Sequence, residues 1–195
     1  TSPRHEKTIE SKFDVKPGDP PEEVASKIRA LGTITDPSLV KQVVDAMGRF
    51  DSDLVREAAL MALRKLKDDA CRRAVWEYGL VHPERFARAY CARLCRNLRL
   101  ADAKELLRKE IDDPFWMARC EAALALATLK DFDSQSKMRA MVEDGSPKVR
   151  IGAMDALAIF GTEANDACVP LIAKNLNHPD WQVRREALEA LAPLD

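Results

Sequence analysis

The sequence predicts an all-α fold, an α-α superhelix of about five helix pairs plus a leading helix, and two observations predict it. The first is an internal repeat. The stretch Val55–Leu66, VREAALMALRKL, is written again around Ala87-Arg88, Ala118-Arg119, Val149-Arg150 and Val183-Arg184, with the arginines 32, 31, 31 and 34 residues apart. A fixed period of that length means stacked helical hairpins. The second is composition. Hydrophobic residues at 46% supply a continuous core, while seven Gly and two Tyr are few for the turns and strands of an all-β chain.

The repeat has an internal register. Three residues after each arginine stands a small side chain, Ala59, Cys91, Ala122, Ala153 or Ala187. Seven after it comes Leu63, Cys95, Leu126, Leu157 or Leu191, and ten after it Leu66, Leu98, Leu129, Phe160 or Leu194. Those offsets put one apolar stripe on a helix. A helix with a single stripe cannot bury it alone, so pairs must stack and share one core. Leu63, Leu126, Leu157 and Leu191 are therefore expected to be buried, with the small residues letting adjacent helices approach.

In chain order, residues 1–20 read as a tail or linker, with Pro3, Pro17, Gly18 and Pro20 and a short extended piece over Ile9–Val15. A linker there suggests that something once preceded it. Residues 21–195 form the repeat domain. A leading helix starts at Pro21, buries Val24, Ile28 and Leu31, and stops at Gly32. Asp36-Pro37 opens the next, with Leu39, Val43, Val44 and Met47 inward up to Gly48. Asp51-Ser52-Asp53 caps the first patterned helix. From there, first helices at about 69–80, 102–111, 133–143 and 164–176 alternate with patterned ones at about 53–67, 83–98, 114–129, 147–160 and 179–193. His82-Pro83, Asp113-Pro114, Ser146-Pro147 and His178-Pro179 place a proline in the first turn, where its missing donor costs nothing.

The formal net charge is −1, which excludes a nucleic-acid binder that works by overall charge. The charge is uneven, with ten Lys/Arg against five Asp/Glu over 70–110 and nine against fourteen over 111–195. A basic middle could steer an anionic partner. The five cysteines, Cys71, Cys91, Cys95, Cys120 and Cys168, are odd in number and form no CxxC. They read as small buried hydrophobes of a reducing compartment, so a cytoplasmic location is expected. No signal-peptide pattern and no run of about 20 apolar residues occurs, so no membrane span is expected.

These residues resemble the HEAT repeat family in its short HEAT-like form. The resemblance covers about Pro21–Leu194 and rests on Val-Arg followed by Ala and Leu at the quoted spacings, with Asp113 and Asp144 six residues before Arg119 and Arg150. The period is shorter than the roughly 40–47 residues usual for HEAT repeats. Tetratricopeptide and ankyrin landmarks are missing. The resemblance implies a right-handed solenoid in which Asp and Arg form a ladder between repeats. That role falls on Arg56, Arg119, Arg150 and Arg184, with Asp113 and Asp144 as carboxylates. His82 and His178 stand where Asp is expected, so there a His nitrogen or a backbone carbonyl must substitute.

Chemistry is sought without success. Cys91 and Cys95 lie one turn apart, but with no His or third Cys beside them they fall short of a metal site. The His-Glu pairs of the HEAT-repeat iron hydroxylases are absent from the copies, since His5-Glu6 lies in the tail. Phosphate-binding loops and a serine elbow have no motif. Asp68-Asp69 and Asp112-Asp113 sit at helix junctions and read as solvated caps. No catalytic residue, metal or cofactor is assigned. A rival resemblance, the HEAT-like DNA-alkylation repair glycosylases, needs a basic concave face carrying Trp. Here the arginines cluster around Arg72–Arg108, and Trp116 and Trp181, three before their arginines, are expected to pack on the neighbouring turn. Nucleic acid is disfavoured as a partner.

What remains is the open face of the patterned helices. In the family geometry, positions one, two, five and nine after the arginine point to the concave side. They give Tyr90, Arg93 and Asn97, then Glu121, Leu124 and Thr128, then Ile151, Asp155 and Ile159, and finally Arg185, Glu186 and Glu189; in the first copy they are Glu57, Met61 and Lys65. Leu124, Ile151 and Ile159 are apolar where water is expected, and two readings stay open. Stack curvature buries them, or they form a patch rimmed by Tyr90, Arg93, Asp155 and Glu189 that holds another protein or peptide. The expected role is therefore non-catalytic protein binding or scaffolding. An accessory module of a larger enzyme, such as the tail of a metallopeptidase, is the alternative.

Overall fold

The computed structural model describes residues 13–160 and 165–192. Among the described residues there are eleven α-helices and no strand: α1 Pro21–Arg29, α2 Pro37–Arg49, α3 Asp53–Leu63, α4 Asp69–Glu77, α5 Arg85–Leu98, α6 Lys104–Glu110, α7 Trp116–Thr128, α8 Gln135–Met141, α9 Pro147–Phe160, α10 Asn165–Ala173 and α11 Trp181–Leu191. The patterned helices α3, α5, α7, α9 and α11 alternate with first helices α2, α4, α6, α8 and α10. None of the helices is long and apolar enough to cross a membrane.

Packing follows the register. Ala59, Cys91, Ala122, Ala153 and Ala187 are all completely buried, and α5 packs along α7, α7 along α9 and α9 along α11. Leu63, Leu126 and Leu157 are buried too, each adding about 1.5–3 kcal/mol of apolar burial. Leu191 departs from the expectation and is only half-buried, because among the described residues no further helix pair covers the outer side of α11. Of the residues ten after the arginine, Leu66 and Phe160 are buried and Leu98 and Leu129 half-buried, while Leu194 lies outside the described residues. All five cysteines are buried and unpaired.

Several boundaries shift for local reasons. α3 stops at Leu63 and α4 at Glu77, each some residues before the expected end. Residues 101–103 and 132–134 form 3-10 turns before α6 and α8. Pro83, Pro114 and Pro179 do not lie in the first turn. They stand one residue before the caps Glu84, Phe115 and Asp180, and Pro147 alone is the first residue of its helix. Ser52 holds the cap position of α3 but makes no side-chain cap bond. Gly48 lies inside α2 rather than ending it. There a Cβ would come 2.5 Å from the Cβ of Glu84, so the missing side chain lets α2 press on the start of α5.

Two features organise the N-terminal end. Phe13 and Val15 pack against the core, and Lys27 of α1 donates to the Asp14 carbonyl and to Asp19, so residues 13–20 lie against the first helices. Ile9 lies outside the described residues. α1 packs along α3, whereas α3 meets α5 sparsely and α2 makes the larger contact with α5.

Candidate functional site

The junctions between helix pairs set the spacing of the patterned helices. At the clearest one, Arg88 of α5 donates from Nε to Asp113 Oδ2 at 2.7 Å and from Nη2 to Oδ1 at 3.2 Å, while Asp113 Oδ1 accepts the Phe115 amide at 2.7 Å. Arg119 reaches back to the carbonyls of Asp113 and Pro114 at 2.9 and 3.2 Å. One aspartate thus joins the previous repeat's arginine, closes the turn before its own helix, and has its main chain held by the next arginine. Burial opposes the charge on Asp113, but Arg88 and the Phe115 amide hold its carboxyl below the usual range. It is no solvated cap.

The other joints vary this theme. Arg119 reaches Asp144 at 3.3 Å and Asp144 accepts the Ser146 amide at 2.8 Å. Arg150 holds the Asp144 carbonyl at 2.6 Å and finds the amide oxygen of Asn175 at 3.3 Å, so a neutral acceptor takes the carboxylate's place. Arg184 donates to the carbonyls of His178 and Pro179 at 2.7 and 2.9 Å. At both histidine junctions the ring Nδ1 accepts an amide, from Glu84 at 3.1 Å and from Asp180 at 3.0 Å. The imidazole therefore closes the same turn that Asp113 and Asp144 close at their junctions.

The first joint is different. Arg56 is 2% exposed, donates to Asp51 at 2.7 Å, and lays its guanidinium 3.8 Å from the centre of the Phe86 ring. His82, which occupies the ladder slot, turns the other way. With Nδ1 accepting from Glu84, its Nε2–H is left to donate to Asp45 of α2 at 3.1 Å. Tyr78 donates its hydroxyl to the same oxygen at 2.5 Å, which pushes the phenol up to about 12.

Glu110 of α6 is buried beside the Arg88–Asp113 pair, 3.8 Å from Arg88. Burial first, and the neighbouring Asp113 carboxylate second, push its carboxyl up to about 8, because the guanidinium of Arg88 is already spent on Asp113. Burial likewise raises the thiols of Cys71 to about 11 and Cys120 to about 12. Among the described residues no group of three or more His, Cys, Asp or Glu is placed to hold a metal ion.

On the patterned-helix face, α5 and α7 carry a locked cluster. Arg93 donates from Nε and Nη2 to Glu121 Oε1 at 2.9 and 2.6 Å, Arg96 approaches Oε2 at 3.4 Å, and Arg93 lies 5.0 Å over the Tyr90 ring. Tyr90 and Glu121 are buried, Arg93 half-buried and Asn97 exposed. Leu124 and Ile151 are partly buried against the core, and the Thr128 hydroxyl is spent on the Leu124 carbonyl at 2.8 Å. Ile159 and Glu189 are exposed. Asp155 and Glu186 meet between α9 and α11, where burial and the Asp155 carboxylate push Glu186 up to about 7. Trp116 is half-buried under Lys148, 4.5 Å from its ring, but Trp181 is 57% exposed, with Arg185 5.4 Å from its ring.

Arg88 and Arg96 are the residues that sequence reasoning passed over. Arg88 has His82 six residues before it, and its carboxylate partner, Asp113, stands twenty-five residues after it. Arg96 follows Arg93 by three residues, a spacing that shares a helix face.

Comparison with known proteins agrees with this architecture. Residues 137–195 match the family model for HEAT repeats. No curated protein matches the sequence. An engineered protein of known structure is 22% identical, with 89% of this chain and 91% of that one covered at a TM-score of 0.58. A designed armadillo repeat protein in complex with the peptide (KR)4 is 16% identical, covering 91% and 95% at 0.57. Designed armadillo repeat proteins for modular peptide recognition give 15%, 89% and 93%, and 0.55. With residues 137–195 matching HEAT repeats and the same paired-helix fold shared along the rest, the chain is an α-helical repeat solenoid.

Proposed function

We propose that the protein is a non-catalytic scaffold that holds a segment of another protein along the open face of α5, α7, α9 and α11. One observation carries this reading. The face is pre-ordered at Arg93 and Arg96, gathered on Glu121, and is dominated at the α11 end by Asp155, Glu186 and Glu189 around Arg185. A held arginine pair and an acidic end orient a charged segment without ordering flexible side chains first. The likeness to armadillo proteins designed for peptide recognition supports the same use of the fold. Glu110 and the raised thiols are enclosed in helix packing with structural neighbours, which suits a structural part better than acid–base chemistry.

The test replaces exposed members of the row, Asn97→Glu, Ile159→Lys and Glu189→Lys together, because Tyr90 and Glu121 are too buried to change without strain. Proteins captured from lysate by the native chain should be lost with helicity unchanged. Capture of the same partners by a fully helical variant would refute this face.

A further inference from the structure

We propose that the groove between the C-terminal ends of α1 and α3 binds an acidic peptide, taking an aliphatic side chain into its floor and placing carboxylates against both walls. The groove has a volume of about 560 Å3, in the range of about 300–1,000 Å3 typical of ligand-holding clefts. Its accessible apolar floor is the half-buried Leu31 and Ala62, backed by the buried Ile28, Ile34, Ala58 and Leu66. At the rim Met61 is 47% exposed, a large flexible apolar side chain that can fold over an inserted residue.

The walls decide the chemistry of the occupant. Arg29 stands on the α1 side, Lys65 and Lys67 on the α3 side, and no acidic residue lines the groove. All three cations are exposed, and among the described residues none is in an ion pair, unlike Arg56, Arg93 and Arg108 elsewhere in the array. Cations on both walls of an aliphatic floor complement a peptide whose acidic residues flank an apolar anchor. A fatty-acid anion would satisfy one wall only. A single-stranded nucleic acid would find no ring to stack on, since no aromatic residue lines the groove. The site lies at the opposite end of the patterned face from the acidic α11 end and stands whether or not the α5–α11 row binds anything.

Gly32 supplies a clean block. A Cβ there would meet nothing within 4 Å, so a substitution can start toward the cleft without a clash at the backbone. The probe is a fluorescein-labelled peptide with a central pair of leucines flanked on each side by aspartates, followed by anisotropy at low and moderate salt. The full chain should bind it saturably, and more weakly as salt rises. Lys65→Glu with Lys67→Glu should weaken binding at least tenfold, and Gly32→Trp should abolish it, both with native helicity. Replacing the leucines by serine, or the aspartates by lysine, should remove binding. The Asn97, Ile159 and Glu189 triple variant should bind within twofold of the native chain, which separates failure here from failure of the α5–α11 reading. No saturable binding by the native chain overturns the proposal, as does equal binding of the serine or lysine peptide. Displacement of the peptide by oligothymidylate or by decanoate in preference to unlabelled acidic peptide also overturns it. Unchanged affinity in the Glu variants would mean that the cations serve only the C-terminal ends of α1 and α3, and would overturn it too.

Discussion

Arg88 and Asp113 face each other through two hydrogen bonds, at 2.7 and 3.2 Å, across the joint between the α5 and α7 repeats. Both side chains are largely withdrawn from water, and each also makes bonds that position a loop backbone. Removing one partner leaves the other charged and under-solvated. Arg88→Ala should cost about 3 kcal/mol by urea unfolding, whereas Asp113→Asn should cost less, because the amide oxygen can still accept from Phe115. Equal losses for the two would show that the charge pair, not the bond to the Phe115 amide, dominates the joint.

Glu110 gives the array a dependence on pH. Its carboxyl is raised in the folded chain to about 8 from an ordinary value of 4.5, so between those values the folded state holds a proton that the unfolded state has released. Its contribution to stability is complete below pH 4.5 and is lost as pH rises through about 8. The melting temperature should therefore fall between pH 5 and pH 9. Glu110→Gln should flatten the fall above pH 7 and leave the smaller part contributed by Glu186, whose carboxyl is raised to about 7. A native-like slope in the variant would place the proton elsewhere.

Leu126 and Leu191 occupy the same register slot, but only Leu126 is fully buried. Leu126→Ala should cost about 2–5 kcal/mol by chemical denaturation, and Leu191→Ala clearly less. Matching losses would contradict the half-open environment of Leu191.

Gly48 should tolerate no side chain. Gly48→Val pushes on Glu84 and should cost about 1–3 kcal/mol, while Gly32→Ala, with open space around it, should stay within about 0.5 kcal/mol. Thermal melts of the two variants side by side decide it.

The fold was legible because burial alone writes the register. A helix that must hide one stripe against two neighbours repeats its small and large residues at fixed offsets, and Ala59 through Ala187 show it without any long-range information. The joints were less legible. Arg88 carries its carboxylate partner in the following repeat, whereas its own copy offers only His82 at the corresponding slot. The proline at Ser146-Pro147 looked like the other three, yet counted from Arg150 it falls two positions later, and only there does it enter the helix. Trp116 and Trp181 share a slot but not an environment, since the covering cation of Trp116 comes from Lys148 of the next helix. The face residues could be placed on their helices by spacing. That Arg93 and Arg96 converge on one glutamate needed the distance between two helices, which no single helix encodes.

The sparse meeting of α3 with α5 has a mechanical consequence. Beyond it, α5, α7, α9 and α11 lie in continuous contact, and before it α1 and α3 form their own close pair. The two blocks are tied through α2, by the Asp45–Tyr78–His82 bonds and the close contact at Gly48, and through Arg56 of α3 stacked on Phe86 of α5. The first repeat is thus joined to the second chiefly through its first helix, α2, whereas the later repeats are joined through their patterned helices.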